Sequence, residues 1–359
     1  MYKLYNEYFT EVTNIKIPNV DESLKTLFIL SEGGDKRGYV SLFQNLINSK
    51  LNNVNKIFVN EYPSLTNLNA LIQGIELDKV SLIVAIGGGS VIDTAKILAS
   101  FSGLKDNTTL TDAIKSPDIL SEYDKKLKLL VLPTTAGTGA EATQFSTIWD
   151  RKNNKKLSLD HPNLLPDSVY FIPEILITSS YETALFTALD TFSHSLESIW
   201  NINSSKESLK YSHLSLKNSF LLKKLSLNNK NASLLKNRFK SSYFAGKAIN
   251  ITRTSLAHSI SYPLTLKYNV PHGLACSFTL DAIFQISKKH IKVSDELLID
   301  IEESLKNLKS YNLVEELNKY LNLDQALNLI DKMSTKERTK NFISKVDKTV
   351  LKEILKSSF

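Results

Sequence analysis

The chain has 359 residues, 42% hydrophobic and 23% charged, which is enough for two domains of ordinary size and a soluble globular core. No apolar run approaches the roughly 18 residues a membrane span requires. The formal net charge of +7 comes from Lys and Arg scattered among Asp, Glu and Asn, which argues against a nucleic-acid surface and leaves anionic small molecules as partners.

The N-terminal stretch MYKLYNEYFTEV is acidic and aromatic and lacks a signal-peptide pattern. A single cysteine, Cys276, excludes an internal disulfide and fits a reducing, cytoplasmic location. Short β-branched runs then recur: TLFILSE (26–32), KIFVNEY (56–62), SLIVAIGG (81–88), KLKLLVLP (126–133) and SVYFIP (168–173) read as strands. Helical stretches separate them, so the expectation is a mostly parallel sheet flanked by helices over residues 1–173. Beyond residue 173 the strand signal disappears and apolar residues take helical spacing, as in SSKESLKYSHLSLKNSFLLKKL, so residues 174–359 are expected to form an all-α domain.

The strand SLIVAI runs into Gly87-Gly88-Gly89-Ser90 and then the helical VIDTAKILAS. Glycines between strand and helix let backbone approach a ligand, and the helix N-terminus offers N–H groups and a positive dipole end to a diphosphate. A plain tight turn uses the same residues, and the pattern is not GxGxxG. After LKLLVLP comes Thr134-Thr135-Ala136-Gly137-Thr138-Gly139-Ala140-Glu141-Ala142-Thr143, small residues at a strand's C-terminal end, where open α/β sheets bind ligands and where a capped turn would also suffice.

In the helical half, Asp190 and His194 stand four residues apart and share a helix face. His258 and His272 follow, with Pro263 and Pro271 between them expected to split the segment into two helices. One carboxylate and three imidazoles suit Fe(II), Zn(II) or a similar divalent ion. His213 and His290 sit among polar residues and receive no role; His161 stays open.

In combination and in order, GGGSVIDTAK, PTTAGTGAEAT, LDTFSHSLES and the stretch from His258 to His272 resemble the iron-containing (group III) alcohol dehydrogenases over roughly residues 25–290, including the spacing of fourteen between the last two histidines. The resemblance implies the dehydroquinate synthase-like fold of that family: an α/β dinucleotide-binding domain and a helical metal-binding domain, with cofactor and metal in a cleft between them. It implies Asp190, His194, His258 and His272 as metal ligands, and Gly87, Gly88, Gly89 and Ser90 at the diphosphate. Asp93, Thr134, Thr135, Thr138 and Lys156 would line the dinucleotide site, and a homodimer or larger assembly is implied as well. Glu32, at the end of the first strand, stands where an acid binds a ribose diol and favours NAD(H), whereas Lys36 and Arg37 would serve NADP(H).

Two positions depart from the family pattern. Tyr262 stands where many members have a histidine that relays a proton, so the proton is expected to come through the Tyr262 hydroxyl, which both donates and accepts, through water or through the cofactor ribose, and Ala140 replaces a common serine. The run AGKAINITRTSLAHSISYPLT (245–265) looks like the phosphonoacetaldehyde reductases (hydroxyethylphosphonate dehydrogenases) within the family, with Arg253, five positions before His258, as a candidate phosphonate anchor. A salt bridge is the alternative role for that arginine. The expected activity is NAD(P)H-dependent, metal-assisted reduction of phosphonoacetaldehyde. The alternatives are a general short-chain alcohol or lactaldehyde dehydrogenase, a dehydroquinate synthase-like lyase, and a non-catalytic binding protein.

Overall fold

Strand β5 (Val80–Gly87) is buried along its whole length, as a parallel strand covered on both faces must be, and its sequence VSLIVAIG has no polar face to offer solvent. It lies inside a seven-stranded sheet ordered β2-β1-β9-β6-β5-β3-β4 in a computed structural model. The other strands are β1 (Tyr2–Tyr5), β2 (Tyr8–Glu11), β3 (Lys25–Leu30), β4 (Val54–Phe58), β6 (Lys128–Pro133) and β9 (Ser168–Phe171). The residues described are 1–5, 8–18, 21, 23–47, 51, 53–59, 62–102, 104, 108–121, 127–153, 155–219, 231–333 and 339–359. Residues 60 and 61 of the second expected strand, residue 126 of the fourth, and residues 220–225 of the expected helical run lie outside them.

The chain divides into two compact units, Met1–Thr135 with Ala140–Leu176, and Ala136–Gly139 with Ile177–Phe359. In the first, β4, β3, β5, β6 and β9 run parallel. The chain adds β4 on one side of β3 and then β5 on the other, so strand order reverses between β3 and β5, the kind of switch point outside which open α/β sheets bind ligands. Helices α1 (Glu32–Lys36), α2 (Tyr39–Leu46), α3 (Leu65–Gly74), α4 (Gly89–Phe101) and α5 (Leu110–Lys115) connect the strands. One core combines Phe28, Leu30, Phe43, Val84, Leu130 and Tyr170.

The five expected strands are present within a few residues of their expected limits. Four more were not legible. β1 and β2 form a four-residue antiparallel pair at the sheet edge, and β7 (Phe145–Asp150) with β8 (Lys155–Asp160) forms a separate hairpin. Each is too short, or too mixed in polarity, to show a clear period of two.

The second unit is helical, and its described residues contain no strand beyond an isolated bridge between Asn201 and Phe342. Its helices are α6 (Tyr181–Ile199), α7 (Lys206–Asn218), α8 (Ala232–Thr252), α9 (Leu256–Tyr268), α10 (His272–Ser277), α11 (Leu280–Ser287), α12 (Asp295–Leu308), α13 (Leu313–Asn318), α14 (Leu323–Leu327), α15 (Ile330–Met333) and α16 (Lys348–Ser358). Every residue of α6 from Ala188 to Ile199 is buried, so this helix is the axis around which α7, α8, α9 and α10 pack. Its serines are not stray polar groups: Ser195 donates to the Thr191 carbonyl at 3.1 Å, and Ser193 to that of Cys276 at 3.3 Å. Leu189, Phe192, Leu196, Trp200, Ile260 and Leu274 carry the surrounding core. No helix among the described residues is long and apolar enough to cross a membrane.

The expected split into two helices is present at Pro271, but not at Pro263, which lies inside α9, and that helix continues to Tyr268. Losing one backbone donor costs about 3 kcal/mol, but every residue from Leu256 to Leu264 is buried, and packing holds the helix together. Asn269, left-handed at φ +55°, ends α9 instead, and Pro271 caps α10.

Candidate functional site

Ser180 caps α6 by accepting from the Thr183 amide at 3.1 Å, fixing the start of a helix on which Asp190, His194 and Glu197 fall at intervals of four and three, one buried face. His258 comes from the first turn of α9, and His272 opens α10. Gly273 permits that approach. A Cβ there would lie 1.8 Å from the Phe186 carbonyl oxygen, so only glycine lets α10 seat against the α6 backbone.

Three imidazole Nε2 atoms converge on one oxygen, Oδ1 of Asp190: His194 and His258 at 3.6 Å each and His272 at 3.8 Å. These gaps are too long for hydrogen bonds. They are close to the edge of a tetrahedron with bonds of about 2.1 Å, roughly 3.4 Å. Asp190 Oδ1 and His258 Nε2 are buried atoms with no hydrogen-bond partner among the described residues, a costly arrangement unless a further group meets both. A divalent cation fits that donor set.

The electrostatics point the same way. Burial acts to raise the Asp190 carboxyl, but His194, His258 and His272 outweigh it and hold the group well below the usual carboxylate range. Burial acts to lower His258, but Cys276, Glu197, Tyr262 and Asp190 together raise it well above its ordinary value. The pocket therefore favours positive charge at the point the imidazoles face. The rings of His194 and His258 stack with centroids 4.8 Å apart, and Tyr262, 7% exposed, stacks on His272 at 5.8 Å.

Arg253 caps α8 at φ +64° and ψ 173°, a backbone region that is nearly glycine-only. Its carbonyl accepts from Asn201 Nδ2 at 3.2 Å and Thr252 Oγ1 at 3.0 Å, while Asn341 Nδ2 holds the next carbonyl, that of Thr254, at 3.1 Å. The break between α8 and α9 thus occurs at Arg253, whose guanidinium donates to the Asn250 carbonyl.

In the first unit, Gly87 ends β5, Gly88 caps α4, and Gly89 and Ser90 begin it. A Cβ on Gly87 would meet Val91 at 2.5 Å, so the missing side chain lets α4 close on the strand. The first turn of α4 carries no acidic residue, which leaves its dipole uncompensated by the chain. Thr134 donates its amide to the Gly87 carbonyl at 3.0 Å, and a Cβ on Gly88 would lie 3.0 Å from Thr135 Oγ1, so the threonine turn flanks the glycine turn.

Asp93 is turned into the protein, accepting from the Thr147 amide at 2.9 Å, and Lys156 lies over the Trp149 ring at 5.7 Å. Thr138 belongs to the segment Ala136–Gly139 of the second unit. Glu32 is exposed and is the first residue of α1 rather than the end of β3, because Ser31 caps that helix. Lys36 is the last residue of α1 and Arg37 its C-cap. His161 is structural: Ser121 meets its Nε2 at 2.7 Å, and its Nδ1 accepts from the Asn163 amide at 3.1 Å.

Four residues were missed by reading the sequence. Glu197 Oε2 meets the Nδ1 of His258, and its Oε1 accepts from the Ala257 amide at 2.6 Å. Cys276 stands with Asp190, His258 and His272 in a group whose ligand atoms all lie within 4.8 Å of one another. Lys96, at the end of GGGSVIDTAK, donates to Thr143 O, Thr143 Oγ1 and Phe145 O at 2.8, 3.0 and 3.0 Å, tying the two glycine-bearing motifs together; Glu141 lies buried beside it. Intervals of three and four from His194 and His272 mark Glu197 and Cys276, whereas nothing in the sequence marks Lys96 as buried.

The model of the iron-containing alcohol dehydrogenases matches residues 12–173, and that of the C-terminal domain of the same family matches residues 184–355. A phosphonoacetaldehyde reductase from Streptomyces viridochromogenes is 32% identical over 219 residues, 60% of this chain and 55% of the relative. An NADPH-dependent butanol dehydrogenase from Clostridium saccharobutylicum is 28% identical over 255 residues, 68% of this chain and 64% of the relative. The matched stretch thus spans less than two thirds of either curated relative. The fold is shared with the crystal structure of a sulfoacetaldehyde reductase from Bifidobacterium kashiwanohense in complex with NAD+, with a TM-score of 0.76 and 21% identity over 93% of this chain and 90% of that one. With both units matched, and with the glycine turn and the Asp190 cluster in place, the chain belongs to the iron-containing alcohol dehydrogenase family.

Proposed function

We propose that the protein is a metal-dependent NAD(P)H oxidoreductase that reduces a small aldehyde to an alcohol, with phosphonoacetaldehyde, giving 2-hydroxyethylphosphonate, as the substrate. The convergence of three imidazoles on one buried oxygen of Asp190 carries the metal part of this reading. Asp190, His194, His258 and His272 would hold the ion. When bound, a divalent ion supplies Lewis acidity toward a carbonyl oxygen and the dinucleotide supplies the hydride.

The chain's own groups do the rest. Gly87 to Ser90 present backbone N–H groups and the dipole of α4 to a diphosphate. Thr134, Thr135 and Thr138 offer hydroxyls to the dinucleotide, and Asp93, Lys156 and Glu32 are further candidates for its polar groups. Buried Tyr262, stacked on His272, gives the proton that completes the alcohol from its hydroxyl. Arg253 holds the far end of the substrate. Its planar fork matches a phosphonate, and the loop it occupies is fixed by Asn201, Thr252 and Asn341 rather than left to solvent. The 32% identity to a phosphonoacetaldehyde reductase supports that choice, and the identity to a butanol dehydrogenase keeps a general short-chain reductase as the second reading.

The test is NADH and NADPH oxidation by anaerobically purified protein loaded with Fe(II) or Zn(II), with phosphonoacetaldehyde beside propanal and lactaldehyde. A kcat/KM about a hundredfold higher for the phosphonate, about 2.7 kcal/mol, is expected. Metal-dependent oxidation without preference leaves the general reductase. No net NAD(P)H consumption with any aldehyde rejects the oxidoreductase.

A further inference from the structure

Cys276 lies four residues after His272 in α10, so the two side chains leave one face of the helix. Its Sγ is 3.7 Å from each ring nitrogen of His272, and it is fully buried. The same close seating of α10 on α6 that Gly273 permits brings the thiol and His272 together to Asp190. The candidate donor atoms of Asp190, His258, His272 and Cys276 all lie within 4.8 Å of one another. Two ligands of one ion, with bonds of about 2.1 Å to nitrogen or oxygen and about 2.3 Å to sulfur, stand from about 3 Å apart when adjacent to about 4.4 Å when opposite. The observed spread is near that range. Two of the atoms in this group, Asp190 Oδ1 and His258 Nε2, are buried without a hydrogen-bond partner among the described residues, which leaves both open to an ion, while Cys276 Sγ is within hydrogen-bonding distance of the His272 ring.

We propose that Cys276 is a further ligand of the divalent ion assigned above to Asp190, His194, His258 and His272, so that the site carries one thiolate donor. The inference rests on that metal reading. Coordination replaces the S–H bond by a sulfur–metal bond and releases the proton to solvent. A soft donor shifts the site's preference toward Zn(II) and Co(II) and away from Mn(II) and Mg(II).

The full chain is loaded with Zn(II), its bound metal is counted, and its zinc-edge X-ray absorption is recorded. The expected first shell has one sulfur at about 2.3 Å beside nitrogen and oxygen at about 2.0–2.1 Å. In Cys276→Ser the sulfur disappears and the nitrogen and oxygen remain. The Co(II) protein is expected to show a near-ultraviolet thiolate-to-cobalt charge-transfer band that Cys276→Ser loses, with zinc-over-manganese selectivity falling about tenfold. The wild-type spectrum decides the matter even if the variant does not fold. Stoichiometric zinc with a nitrogen and oxygen shell alone removes Cys276 and leaves the metal reading standing. A protein that binds no stoichiometric metal removes both.

Discussion

Glu197 grips His258 at both ends of its carboxylate: Oε2 meets the imidazole Nδ1, while Oε1 accepts the His258 amide at 3.3 Å and that of Ala257 at 2.6 Å. One buried acid thus fixes both the start of α9 and the ring orientation. With Nδ1 engaged, Nε2 is left facing Asp190. Carboxylates that orient a metal-binding imidazole in this way typically change affinity by about 10–100-fold when removed. Glu197→Gln is therefore expected to weaken Zn(II) binding by that factor in a chelator competition, with helix content unchanged. Unaltered affinity would remove Glu197 from the centre's support.

Gly273→Ala tests how the site is assembled. The added methyl meets backbone rather than a mobile side chain, so α10 must retreat from α6. A loss of about 3 kcal/mol of stability is expected, together with loss of metal binding, since His272 moves with the helix. Full metal occupancy in a stable Gly273→Ala protein contradicts this packing.

Tyr262→Phe keeps the ring stacked on His272 and removes only the hydroxyl. If that hydroxyl delivers the proton, kcat in the reductive direction falls by about a hundredfold with little change in KM. An unchanged kcat assigns the proton to water or to the cofactor.

Arg253 gives two substitutions that separate strain from binding. Its φ of +64° with ψ 173° costs any residue but glycine on the order of 1–3 kcal/mol. Arg253→Gly is expected to unfold at higher temperature than Arg253→Ala, by about 1 kcal/mol or more in stability. Both should raise KM for a phosphonate aldehyde strongly and for propanal hardly at all. Equal shifts for the two substrates take Arg253 out of the substrate pocket.

Lys96 and Glu141 give the first unit a pH dependence of its own. Burial pushes Glu141 up to about 7 from an ordinary 4.5, partly opposed by a backbone hydrogen bond and by Lys96, and burial pushes Lys96 down to about 8 from 10.5. Between pH 4.5 and 7 the folded state holds a proton on Glu141 that the unfolded chain has released. That contribution is complete below pH 4.5 and is lost as pH rises through 7. Between 8 and 10.5 the unfolded chain keeps the Lys96 proton longer, so stability rises with pH there. Glu141→Gln should reduce the acid-side slope by about 2–3 kcal/mol across the window, as read from denaturant midpoints at pH 5 and 7. A slope that survives the substitution lies in other groups.

The sequence by itself determined the division of labour: alternating strands and helices up to about residue 173, helices after it, a glycine turn behind a strand, and four ligand-type side chains, of which Asp190 and His194 stand at helical spacing. Those features depend on local periodicity and on neighbours along the chain, and periodicity is readable. Tertiary structure decided the rest. Pro263 remains within α9 because burial on every side outweighs one missing N–H. β7 and β8 exist because they pair with each other across six residues, not because either has a strong strand pattern. Lys96 is buried because three oxygen acceptors brought from Thr143 and Phe145 replace its water. The centre itself depends on one oxygen of Asp190, near which α9 and α10 place His258 and His272. Distances of 3.6–3.8 Å between residues up to 82 positions apart in the chain are set by how helices seat, and at Gly273 by the absence of a single methyl group.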